Sequence, residues 1–262
     1  MKVKIGIIGG GNMGGAIIGG IHKKYGVLLC EQDEKRAQWL KRKYKITVCD
    51  LKTAAQESKA VILAVKPQNF EAILEGLKPH IAKNKPVISI AAGITCLYIE
   101  KRLGEKTRVV RTMPNLPVQV GEGITGICPG SAAVNGDLIL ACRIFGCIGK
   151  TVVVEEKWMN AITAVSGSGP AYVFLFIECL LKTVDSFGLD KAIGRELVMQ
   201  TVKGSLKLLE RQKEEAGVLR ERVTSKGGTT QAALDVFSKY KLDSIFYKAL
   251  SAARNRAKSL SQ

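Results

Sequence analysis

Histidine is nearly missing from this 262-residue chain: only His22 and His80 occur, each beside lysines. So little imidazole argues against a Ser-His-Asp relay or a histidine-built zinc site. Cysteine is present seven times, but no two form a C-x-x-C pair and most lie in apolar segments. These thiols read as reduced core residues, and no metal site is expected. Low-complexity tracts are lacking as well, and a hydrophobic content of 46% is enough to bury a real core, which excludes disorder. The first apolar run, in MKVKIGIIGG, is too short to span a membrane and leads into glycines without a small-residue cleavage site. The expectation is a cytoplasmic protein with no membrane segment.

Acidic residues are few beside the basic ones: Lys and Arg total 40 against 23 Asp and Glu, a net charge of +17. An excess of this size suits nucleic acid, a membrane surface or anionic small molecules. The cations are scattered through segments such as KKYG, KRKYK and LRERVTSK, without interleaved aromatics. That pattern favours solvated helix faces and steering of anions over a nucleic-acid interface.

Short β-branched runs recur at 5–8, 27–29, 46–48, 61–65, 87–90 and 108–111, separated by helix-like stretches. Further strands are predicted at 124–128 and 151–154, with a helix over 136–145. Alternation of this kind specifies an α/β domain, a mostly parallel sheet wound with helices, over residues 1–155. Directly after the first run, Gly9, Gly11 and Gly14 fill the G-x-G-x-x-G positions of a Rossmann-type dinucleotide turn, and Asn12 and Met13 face the cofactor or its crevice.

The carboxyl ends of the other strands should complete the cofactor site. Glu31, after the second strand, can accept hydrogen bonds from ribose hydroxyls and would repel a 2′-phosphate, which favours NADH over NADPH; Lys35 and Arg36 are nearby cations that could still receive a phosphate. Ala64, Val65, Lys66 and Pro67 form a loop expected along the nicotinamide half. Small residues Ala91, Ala92 and Gly93 leave room for the ring face. Met113, Pro114 and Asn115 make a rigid turn that brings backbone groups toward the ring amide or the substrate.

From residue 156 to 262 the apolar period lengthens to three and four, as in Tyr172, Leu175, Phe176, Cys179, Leu180 and Val184, so a second, all-helical domain is predicted. Pro170 suits the first turn of a long helix and Gly188 its stop. The run AYVFLFIECLL is apolar all round and needs cover on every side, which predicts a homodimer or higher homo-oligomer packed through these helices.

Two segments narrow the chemistry: AVSGSGPAYVF at 164–174 and VTSKGGTTQAAL at 223–234. The second sets Ser225, Gly227, Gly228, Thr229 and Thr230 before a helical pattern, where backbone N–H groups can converge on an anion. Together with IGIIGGGNMGGAI, LAVKPQ and VVRTMPNLPVQVGEGIT, these segments resemble the pyrroline-5-carboxylate reductases over residues 1 to about 257. The resemblance implies reduction of 1-pyrroline-5-carboxylate to proline with NADH or NADPH, and helical domains that intertwine between two chains. It places the substrate carboxylate on Ser225, the N–H groups of Gly228 and Thr229, and Thr230, with Thr230 also bonding the imine nitrogen or relaying its proton through water. A protonated cyclic imine is already an electrophile, so orientation and charge stabilisation suffice and no strong catalytic acid is needed.

The chain departs from the family pattern at three points. CEQDEK replaces the usual Asn-Arg-Ser/Thr-Pro turn after the second strand, which bears on cofactor choice; Lys226 stands where proline is usual, and so does Ala216. A β-hydroxyacid dehydrogenase would need a helical lysine four residues after an asparagine, but Asn160 is followed by Ala164. A basic relative that only binds DNA is disfavoured by the intact hydroxyl-rich loop.

Overall fold

The computed structural model describes residues 2–260. Strands and helices alternate through the first half: β1 Lys4–Ile8, α1 Asn12–Ile21, β2 Gly26–Cys30, α2 Glu34–Tyr44, β3 Thr47–Val48, α3 Leu51–Glu57, β4 Ala60–Leu63, α4 Phe70–Leu77, β5 Val87–Ser89, α5 Cys96–Leu103 and β6 Val109–Met113. Then come β7 Gly123–Pro129, α6 Asn135–Phe145, β8 Gly149–Val153 and the short α7 Met159–Ile162. They build one eight-stranded sheet in the order β3-β2-β1-β4-β5-β6-β7-β8. Every neighbouring pair is parallel except β6 and β7. The expected Rossmann-type sheet is therefore present, and its strand order reverses between β1 and β4.

Side chains alternate across this sheet, and both faces are covered. Ile5, Ile7, Val27, Leu29, Ile62, Ile88 and Val110 pack on one side with Ile17, Ile18 and Phe145. Ile8, Leu28, Val61, Leu63, Val87 and Val109 pack on the other with Phe70, Leu74 and Ile99. A strand buried on both faces reads as a continuous apolar run, the signal seen at β1 and β4. Side-chain caps start the helices where the chain leaves the sheet: Asp33 accepts from the Arg36 N–H, Asp50 from Thr53 and Thr95 from Tyr98.

The remaining helices are α8 Gly169–Ser186, α9 Lys191–Gln212, α10 Ala216–Arg222, α11 Thr229–Lys239 and α12 Leu242–Ser259. Pro170 lies in the first turn of α8, and Gly188, just beyond its end, takes the left-handed φ of +77° that glycine tolerates. The chain divides into two compact units, one reaching to Pro170 and resuming at Ala252, the other running from Ala171 to Ser251. The segment after β8 belongs to the first unit because Met159 and Ala164 are buried there. In the second unit many apolar side chains remain exposed, among them Phe174, Leu175, Phe176, Leu197, Phe237 and Phe246, while Val198 is buried. The helical run Glu156–Ser186 is long and apolar enough, by length and composition, to cross a membrane.

Candidate functional site

At the carboxyl ends of β1, β2 and β4 a cleft of about 600 Å³ is lined by Gly9, Gly11, Glu31, Ala64, Val65 and Lys66, joined by Gln32, Gln68 and Asn69. Gly9 leaves β1 with a φ of +100°, its N–H donating to the Cys30 carbonyl at 2.8 Å. A Cβ at Gly9 would stand 2.6 Å from the Ala64 carbonyl oxygen, and one at Gly14 would collide with the Gly9 carbonyl. At Gly11 a Cβ would meet nothing. The first and third glycines are thus required by packing of the protein on itself, while the second leaves open space in the cleft, as close approach of a pyrophosphate demands. These residues fit a dinucleotide.

Both oxygens of Glu31 are engaged by the backbone: Oε2 accepts from the Gly10 N–H, and Oε1 from the Asp33 N–H at 2.9 Å. Arg36, expected as a possible phosphate ligand, points elsewhere. Its Nε donates to the Gly10 carbonyl at 2.7 Å and its Nη2 to the Gly11 carbonyl at 3.3 Å, with the guanidinium 4.6 Å from the centre of the Trp39 ring. Asn12 lines a separate groove with Arg36, Trp39, Lys43 and Tyr44, and Met13 packs half-buried against the core.

Pro67 opens a short 3-10 turn, Pro67–Asn69, that carries the chain from β4 into α4. The β4 ladder stops at Leu63, so Ala64 and Val65 are loop residues on the cleft wall. Beyond β5, Ala91 and Gly93 are buried and Ala92 is half-buried. Gly93 has a φ of +78°, and a Cβ there would lie 2.6 Å from the Leu260 carbonyl oxygen, so Leu260, just after α12, lies against this loop. Pro114 and Asn115 are buried and Met113 half-buried. The Asn115 side chain joins two neighbours: Oδ1 accepts from the Ile124 N–H at 2.9 Å, and Nδ2 donates to Ser166 Oγ at 3.4 Å. Ser166 belongs to a π-helical turn, Thr163–Gly167, within the SGSG motif; such wide turns are frequent at functional sites, and period analysis does not reveal them.

In the second unit, Gly228 is the N-cap of α11, so Thr229 and Thr230 occupy its first turn. Gly227 takes a φ of +72°, and a Cβ at Gly228 would collide with Ser225 Oγ. Among the described residues no side chain caps this helix. One expectation changes: the Gly228 N–H closes the turn on the Ser225 carbonyl at 3.0 Å, so of the donors expected for an anion the Thr229 N–H and the Ser225, Thr229 and Thr230 hydroxyls remain, beside the Thr230 and Gln231 N–H groups of the same first turn.

Cys96, Cys128 and Glu156 bring three ligand-type atoms within 4.8 Å of one another. A hydrogen bond with Cys128, and then burial, push the Cys96 thiol far up, so it stays protonated. The Glu156 carboxylate is meanwhile occupied by Arg111 at 3.0 Å and by the Cys96 N–H at 2.9 Å. Beside the cofactor cleft, burial followed by Asp50 and Glu31 raises the Cys30 thiol, and burial followed by Cys30 pushes Cys49 up to about 11.

A family model described as pyrroline-5-carboxylate reductase dimerisation matches residues 156–260. Over the whole chain, the pyrroline-5-carboxylate reductase of Synechocystis is 38% identical, covering 99% of each sequence. The chain belongs to the pyrroline-5-carboxylate reductase family. The enzyme of that name from Methanosarcina acetivorans is also 38% identical, across 98% of this chain and 97% of its own. Among solved structures, the Coxiella burnetii reductase superposes with a TM-score of 0.91 at 36% identity over the full length of both chains. The Plasmodium falciparum enzyme, determined with NADP bound, gives 0.91 at 28% identity, covering 99% and 98%. A second family model, for NADP oxidoreductases of the coenzyme F420-dependent type, matches residues 4–93, which hold the glycine turn and the cleft. The chain is accordingly an NAD(P)-dependent oxidoreductase, and the dimerisation match supports homo-oligomerisation.

Proposed function

We propose that the protein reduces 1-pyrroline-5-carboxylate to L-proline with NADH or NADPH, the last step of proline biosynthesis. Family membership over nearly the whole length supports this reading. The observation that carries it is the start of α11, which offers first-turn backbone N–H groups and three hydroxyls to a carboxylate, with no competing side-chain cap among the described residues. Ser225, the Thr229 N–H and the Thr229 hydroxyl hold the carboxylate. Thr230 hydrogen-bonds the imine nitrogen or relays its proton through water. The reduced nicotinamide, when bound, supplies the hydride that the imine carbon accepts. Gly9, Gly11, Gly14, Lys66 and the loops at 64–67, 91–93 and 113–115 bind and orient the cofactor.

Glu31 favours NADH over NADPH in this reading, because its carboxylate faces the cleft where a 2′-phosphate would bring like charge. Residues 1–155 carry the dinucleotide role and 156–262 the substrate and dimerisation role, although the stretches up to Pro170 and from Ala252 pack with the sheet-bearing unit. A second copy, in the cytoplasm, covers the apolar faces of α8, α9 and α11; the dimerisation match over 156–260 supports that occupant.

Thr230→Ala tests the assignment against wild-type protein that turns over the imine. Turnover should fall by roughly tenfold, the cost of one lost charge-assisted hydrogen bond, with the dissociation constant for the cofactor unchanged. Unaltered turnover contradicts the role of Thr230.

A further inference from the structure

We infer that Arg36 is a positioning residue of the cofactor site, and that this engagement withdraws it from reading a 2′-phosphate. The inference rests on the cleft being a dinucleotide site.

Gly10 is held at both ends. Its N–H donates to Glu31 Oε2, and its carbonyl accepts from Arg36 Nε at 2.7 Å. Glu31 Oε1 accepts from the Asp33 N–H at 2.9 Å, and Asp33 Oδ1 accepts from the Arg36 N–H at 2.9 Å. The four residues therefore form a closed ring of hydrogen bonds, Gly10 to Glu31 to Asp33 to Arg36 and back to Gly10, with Trp39 backing the guanidinium.

A trans peptide points its C=O and its N–H in opposite directions. Arg36 draws the Gly10 and Gly11 carbonyls toward α2, and so turns the N–H groups of Gly11 and Asn12 the other way. Those two donors stand at the amino end of α1, where a pyrophosphate is received. The guanidinium itself lines the groove with Trp39 and Lys43 and does not line the cofactor cleft. Arg36 thus shapes the pyrophosphate turn, which NADH and NADPH share, and leaves discrimination between them to Glu31.

Calorimetric titration of NADH and of NADPH into the full-length wild type, Arg36→Ala and Arg36→Lys tests this, with melting curves of each free protein. For Arg36→Ala both dissociation constants should rise by a common factor of roughly ten, since charge-assisted bonds to two carbonyls are lost. Arg36→Lys, whose ammonium can reach one carbonyl, should recover part of that loss for both cofactors. A loss confined to NADPH would show that Arg36 reads the phosphate and would overturn the inference, as would unchanged binding of both. If Arg36→Ala does not fold, Arg36→Lys decides by the same criterion: weakening common to both cofactors supports the positioning role, and weakening of NADPH alone or of neither overturns it. Wild-type protein that binds neither cofactor would instead refute the dinucleotide reading beneath it.

Discussion

Arg111 and Glu156 form an ion pair of 3.0 Å in which the guanidinium side chain is only 4% exposed and the carboxylate 34%. The same carboxylate oxygen accepts the Cys96 N–H, so a single side chain ties β6, the start of α5 and the turn after β8 together. Glu156→Ala would leave a buried positive charge without its partner. Destabilisation of about 2 kcal/mol is expected, below the range for fully buried pairs because the carboxylate is partly wet. Glu156→Gln, which keeps an acceptor for the Cys96 N–H, should cost less. Urea unfolding of the two variants checks the order; equal stability of Glu156→Ala and wild type would contradict it.

The glycine turn predicts two contrasting variants. Gly14→Ala forces a Cβ into the Gly9 carbonyl, so the variant should lose stability and cofactor affinity together. Gly11→Ala meets no protein atom, so its melting temperature should match the wild type while cofactor binding weakens by roughly tenfold or more, because the methyl group occupies the approach of the pyrophosphate. Paired melting and binding measurements separate the two; a stable Gly11→Ala with full affinity would place the pyrophosphate elsewhere.

Much of this architecture is legible in the sequence because the physics is local. The β1 and β4 runs are buried on both faces and flanked by helical spacing, so their strand character needs no partner to be seen. The end of β4 is less legible: Ala64 and Val65 continue the apolar run, but the strand stops before them as the loop turns toward Pro67. Segment 156–170 reads as helical, yet its packing with the sheet depends on tertiary burial of Met159 and Ala164. Arg36 illustrates the limit most clearly. Its charge near Glu31 suggests a phosphate ligand, and only the fold reveals that the Gly10 and Gly11 carbonyls take that charge. In the loop at 225–230, residue types identify the turn, while the use of the Gly228 N–H within it is a matter of backbone geometry.

Glu31→Ser addresses cofactor choice. Removing the carboxylate lifts the repulsion of a 2′-phosphate but also releases the Gly10 N–H. The ratio of kcat/KM for NADPH over NADH should rise by roughly tenfold, with some loss of NADH efficiency. A ratio that stays constant would mean that Glu31 is not the selector.

The thiols beside the cleft should be sluggish nucleophiles. Cys49 is pushed up to about 11 by burial and by Cys30, so little thiolate exists at neutral pH and its reactivity should climb only as the pH approaches that value. Relative to an unperturbed thiol, alkylation near pH 8 is expected to be about a hundredfold slower, following the thiolate fraction. Mass-spectrometric timing of iodoacetamide labelling across pH checks this; rapid labelling of Cys49 at neutral pH would contradict the raised thiol.

The central claim is hydride transfer to a C=N bond, and the direct measurement is the loss of reduced-nicotinamide absorbance with purified protein, using NADH and NADPH separately, with and without 1-pyrroline-5-carboxylate. The account predicts oxidation that depends on the imine, with proline formed in equal amount and NADH used more efficiently. Folded protein that oxidises neither cofactor in the presence of the imine would contradict it.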